Sequence, residues 1–126
     1  MTALDASALL AFLFREDGHE PVAGVIDRAC MSAVNLAEVL GRYARDGHGV
    51  EEARRRIALT SLEIVPFGTA EAEAAASLVP RTRALGLSLG DRACLALALA
   101  RRIPAMTADR TWSRLHPGVP IRVIRS

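Results

Sequence analysis

Short β-prone runs alternate with longer helical runs along the whole chain, and four acids, Asp5, Glu38, Asp91 and Asp109, stand where helices open. The alternation is the strongest constraint on the fold. Parallel strands cannot be joined by tight hairpins; each needs a crossover, and a helix supplies it. Strands are expected over residues 2–4, 30–33, 63–67, 105–107 and 121–124. Helices are expected over 6–15, 19–28, 35–45, 50–59 and 89–102, with Gly18 separating the first pair. A further helix opens after Thr69 and is perturbed near Pro80, Gly86 marks a loop, and a short helix bears Trp112. The implied class is α/β: a three-layer α/β/α sandwich around a mainly parallel sheet, with residues 1–126 as a single domain.

Composition narrows the class further. Hydrophobic residues make up 51% and aromatic residues only 4%, so the core must be built of aliphatic side chains rather than stacked rings. The longest apolar run, 8–14, is far short of the ~20 residues that cross a bilayer. The start, MTALDAS, has an acid where a secretory signal has positive charge, so a cytoplasmic protein without membrane association is expected. Cys30 and Cys94 lack C-x-x-C spacing and read as small buried hydrophobes. All 16 basic residues are arginine. Without lysine there is no P-loop, and no G-x-G-x-x-G follows a strand to make a dinucleotide site.

The acids are the informative residues. Taken singly, each has a structural explanation. Asp is a favoured helix N-cap, N-x-x-E from Asn35 to Glu38 and S-x-x-D from Ser88 to Asp91 resemble capping boxes, and acids in a first turn complement the helix dipole by ~0.3–1 kcal/mol. Taken together, they fall at one edge of a parallel sheet, where ligands gather at the carboxyl ends of strands. Converging carboxylates repel by about 4 kcal/mol per pair at ~4 Å and an effective dielectric near ~20, so the cluster calls for a cation. An all-oxygen set without His or Cys favours Mg²⁺ or Mn²⁺. Ser7, Asn35 and Thr107 lie beside the acids and are candidates to orient them.

These segments resemble the PIN-domain ribonucleases, and among them the VapC-type toxins of toxin–antitoxin pairs. "LDASALLAF", "SAVNLAEVLGR", "LSLGDRACLALALA" and "MTADRTW" look like the family's four acidic segments, in order and over the whole chain. The resemblance implies a PIN-like fold and Mg²⁺- or Mn²⁺-dependent hydrolysis of RNA to 5′-phosphate and 3′-hydroxyl ends. It makes Asp5 and Asp91 metal ligands, with Glu38 and Asp109 completing the acidic pocket. It also implies an antitoxin partner that covers the groove, and a homodimer. Some relatives carry an additional acid after the fourth motif, where Thr111, Trp112 and Ser113 stand here.

Arg42, Arg45, Arg92, Arg110 and Arg114 are the arginines nearest the acids and the candidates for RNA backbone contacts. Glu38 and Arg42 are equally placed for a solvated i,i+4 pair. Arg54, Arg55 and Arg56 cannot share one face of a helix, Trp112 is either a base-stacking surface or a packing anchor, and the three histidines read as surface loop residues. Two further readings exist. A phosphohydrolase with Asp5 as nucleophile is opposed by D-A-S in place of D-x-D and by the missing lysine. A PIN-like RNA- or protein-binding module without turnover is opposed by the intact acids.

Overall fold

The structure is a computed structural model that describes residues 1–125. The elements in chain order are β1 (Thr2–Leu4), α1 (Ala6–Phe14), α2 (His19–Ala23), β2 (Ala29–Ser32), α3 (Ala33–Arg45), α4 (Val50–Ala58) and β3 (Glu63–Val65). There follow α5 (Thr69–Ser77), α6 (Val79–Thr82), α7 (Leu89–Arg101), β4 (Ala105–Thr107) and β5 (Ile121–Val123). Single 3-10 turns at Ile26–Arg28, Arg83–Leu85 and Arg110–Arg114 complete the chain. The expected three-layer sandwich is present: the five strands form one parallel sheet in the order β3-β2-β1-β4-β5, with helices on both faces.

Strand alternation divides the core. Leu4, Met31 and Met106 point to one face and pack with α1, α2, α3 and α4 through residues such as Leu9, Leu13, Val22, Val39 and Tyr43. Ala3, Cys30 and Ala105 point to the other and meet α5, α7 and Trp112. Small residues on this second face, with Ala93, Cys94 and Ala98 on α7, bring that helix close enough for the Cys94 sulfur to lie 4.0 Å from the Ala3 carbonyl oxygen. Each fully buried leucine contributes roughly 1.5–3 kcal/mol, so an aliphatic core suffices without stacked rings. Burial pushes the Cys94 thiol well above its ordinary value, as expected of a cysteine that serves as packing. Trp112 is fully buried and is a packing anchor.

Connectivity places the functional edge. The chain runs outward from β1 through β2 to β3 with its helices on one face, then crosses back over the other face to β4 and β5. Keeping both crossovers right-handed requires this change of face. The order reverses between β1 and β4, and a crevice opens beyond their carboxyl ends.

Several boundaries differ from the sequence expectation. The helix expected over 19–28 stops at Ala23 and resumes only as a 3-10 turn at Ile26. β3 ends at Val65 because Pro66 has no N–H for the ladder. The third helix begins at Ala33, with Ser32 as its N-cap through a 3.1 Å bond from the Val34 N–H. Glu38 therefore stands in the second turn rather than the first, and Asn35 does not cap the helix.

Candidate functional site

Asp5 leaves β1 and serves as N-cap of α1. One carboxylate oxygen accepts the Ala8 N–H at 2.8 Å and the Ser7 hydroxyl at 2.7 Å; the other accepts the Thr107 hydroxyl from β4. Ser7 in turn accepts the Ala108 N–H at 2.9 Å, and Thr107 accepts the Asp109 N–H at 3.0 Å. The network joins the ends of the two strands at the reversal point. Asp5 is only 4% exposed. Burial pushes its carboxyl up to about 6, against the opposing pull of the Thr107, Ser7 and Ala8 hydrogen bonds and with a smaller push from the charge of Asp91. Ser7 and Thr107 thus contact the acid beside which the sequence sets them.

The opposite wall is built from α3 and α7. The Asn35 amide donates to Glu38 at 2.9 Å and to the Gly90 carbonyl at 3.0 Å, clasping the two helices together. A β-carbon at Gly90 would meet the Glu38 carboxylate, the far end of a flexible and exposed side chain, so a larger residue there would displace that carboxylate. Asp91, the next residue, closes the expected capping box: its carboxylate accepts the Ser88 N–H at 2.9 Å, and its own N–H donates to the Ser88 hydroxyl at 3.2 Å. Asp109 caps the 3-10 turn through the Thr111 N–H at 2.9 Å and the Thr111 hydroxyl at 2.8 Å.

Asp5, Glu38, Asp91 and Asp109 all line one cleft of about 500 Å³, together with Ser7, Leu10, Gly41, Arg42 and Arg45. Capping and cleft lining are compatible, since each carboxylate spends some of its lone pairs on local donors and turns the rest outward. Among the described residues, no three His, Cys, Asp or Glu side chains close into a tight metal cage. The donor set is oxygen only, and the open arrangement fits a hard dication such as Mg²⁺, which keeps several waters and takes few carboxylates directly.

Of the candidate arginines, Arg42 and Arg45 stand at this cleft. Arg42 pairs with Asp46 at 2.7 Å and Glu16 at 3.7 Å and lies 5.5 Å from the centre of the Phe14 ring, in place of the expected pair with Glu38. Arg92 turns back to donate to the Leu87 carbonyl at 2.7 Å, Arg110 is exposed, and Arg114 lines a separate cleft. The apolar run in α1 is mostly core, although Leu10 reaches the acidic cleft. Gly90, whose carbonyl accepts from Asn35, is the residue that sequence reasoning missed. Glycine next to the third acid was the only local signal.

The fold is shared with solved structures. A toxin–antitoxin complex from Klebsiella pneumoniae matches with a TM-score of 0.76 at 18% identity, covering 98% of this chain and 98% of that one. DNA-bound VapBC from Salmonella typhimurium gives 0.75 at 19% identity, covering 98% and 97%. FitAcB from Neisseria gonorrhoeae gives 0.69 at 19% identity, covering 98% of each chain. No curated protein matches in sequence. The PIN domain family model matches residues 2–116, and the chain belongs to the PIN domain family.

Proposed function

We propose that this chain is the toxin of a toxin–antitoxin pair, a Mg²⁺- or Mn²⁺-dependent endoribonuclease acting in the cytoplasm through Asp5, Glu38, Asp91 and Asp109. The observation that carries the reading is the meeting of carboxylates from four separate segments in one cleft at the reversal point of the sheet. Asp5 and Asp91 would hold the ion directly, with Glu38 and Asp109 binding through water. A dication held there would offset negative charge developing at the phosphate and supply Lewis-acid activation of water.

The chain's own residues do the positioning. Three donors lock Asp5 in one orientation, so its free lone pairs have a fixed direction into the cleft. Asn35 does the same for Glu38, which is exposed and would accept a proton from an attacking water. Arg45 and Arg42 at the rim attract the phosphate backbone. A nucleophilic role for Asp5 is opposed by D-A-S in place of D-x-D and by the absence of lysine.

The partner half of the reading draws on the fold's relatives, among them the Klebsiella toxin–antitoxin complex. An antitoxin segment with a basic side chain is the natural cover for an acidic cleft, and a homodimer completes the assembly. The test is cleavage of single-stranded and structured RNA by the purified protein with Mg²⁺, Mn²⁺ or EDTA, beside Asp5→Asn. Cleavage should require the dication and vanish in the variant. Cleavage persisting in EDTA or in Asp5→Asn contradicts the reading.

A further inference from the structure

We propose that a second, basic cleft walled by Arg81, Arg114 and His116 is a phosphate subsite that receives the RNA backbone as it leaves the acidic cleft; the inference rests on the nuclease reading above. The charge distribution points there first. The 73 residues up to Glu73 hold seven arginines and twelve acids, whereas the remaining chain holds nine arginines and two acids. Those two acids, Asp91 and Asp109, both line the acidic cleft. The rest of that half presents positive charge.

Part of that charge is gathered into a concave site. A cleft of about 480 Å³ lies between α6, α7 and residues 114–117, floored by Leu85, Leu95 and Leu115, with no acid among its lining residues. Among the described residues Arg81, Arg114 and His116 form no ion pair, while Arg42, Arg54, Arg56, Arg101 and Arg125 are each matched with a carboxylate. Arg81 is held across the cleft by a 2.8 Å bond from its guanidinium to the Pro117 carbonyl. Unneutralised guanidinium groups on an apolar floor suit a phosphodiester, which they bind through paired N–H donors.

The two clefts are neighbours along two elements. On α7, Asp91 faces the acidic cleft and Leu95 the basic one, one turn or about 6 Å further along the helix. The Arg110–Arg114 turn likewise begins beside Asp109 at one cleft and ends with Arg114 at the other. A strand whose scissile phosphate sits among the acids therefore passes its flanking phosphates to Arg114 and Arg81. Such contacts fix the register of the strand without reading its sequence.

The experiment measures binding of a labelled single-stranded RNA by fluorescence anisotropy across a salt series, in an Asp5→Asn background that leaves the RNA uncut. Arg114→Ala and Arg81→Ala/Arg114→Ala are compared with Arg102→Ala/Arg122→Ala, which removes equal charge from exposed positions outside both clefts. The subsite predicts a loss of about 10-fold at ~0.1 M salt for the cleft pair and a salt slope lower by about 1.4, from roughly 0.7 per phosphate. The control pair should change little. Arg114→Ala leaves the Arg81 to Pro117 bond intact and should give half the change in slope with an unaltered melting temperature. Unchanged binding in the cleft variants, an equal loss in the control pair, or a larger loss for duplex DNA or an acidic peptide than for RNA overturns the assignment. Metal-dependent cleavage by the parent distinguishes that outcome from failure of the nuclease reading, which removes cleavage.

Discussion

The two walls of the acidic cleft are held in different ways. The wall of β1 and β4 is a sealed hydroxyl network in which buried Asp5 accepts three hydrogen bonds and Thr107 and Ser7 pass the chain of bonds on to residues 108 and 109. The wall of α3 and α7 is a contact between helices, tied by the Asn35 clasp. The first stores electrostatic cost, since a carboxylate kept from water is raised to about 6. The second rests on the hydrogen bonds of one buried amide. The walls should therefore respond differently to pH and substitution.

The largest effect is expected at the first wall. Asp5 binds its proton more tightly folded, at about 6, than unfolded, at 3.8, so the folded state carries more protons between those values and stability falls as pH rises through them. Above pH ~6 the penalty is complete, at most about 3 kcal/mol for a shift of this size. In EDTA, Asp5→Asn should therefore melt higher than the parent at pH 8, with the advantage gone by pH ~4. A pH-independent difference would remove electrostatic cost as the character of this wall. RNA cleavage by the same variant should fall by more than ~10²-fold, since loss even of a ligand's orienting partner costs 10–100-fold.

A smaller cost, about 1 kcal/mol, is expected for Asn35→Ala, which leaves the Gly90 carbonyl without its donor. Cleavage by that variant should fall by roughly 10–100-fold, with the loss in kcat rather than KM if Asn35 orients Glu38. The smallest effect on stability is expected for Arg42→Ala, because its ion pairs with Asp46 and Glu16 are solvated and worth under ~1 kcal/mol.

Legibility followed the same division between the walls. Strand-to-helix alternation placed β4 at its observed limits and brought the ends of β1 and β4 together, so Ser7 and Thr107 were readable beside Asp5. Local periodicity and cap chemistry were enough there. At the other wall the spacing of Asn35 and Glu38 looked like a capping box, but Ser32 capped the helix earlier and freed Asn35 to bridge to Gly90. That bond spans 55 residues, and local spacing carries no information about it. The partner of Arg42 was hidden for a related reason: its i,i+4 neighbours on either side, Glu38 and Asp46, are both acids, and the further contacts it makes beside Asp46, with Glu16 and the Phe14 ring, are distant in sequence. Separation of Arg114 from the acidic cleft depends on the path of a 3-10 turn, which charge spacing does not encode.

Calorimetric titration of Mn²⁺ into the purified chain, beside Asp5→Asn and Asp91→Asn, tests the central claim that these acids act together on one dication. The account predicts saturable binding in the parent, a rise in melting temperature with Mn²⁺ concentration, and loss of both in each variant. Equal binding by the parent and both variants, or no binding by the parent, would contradict it.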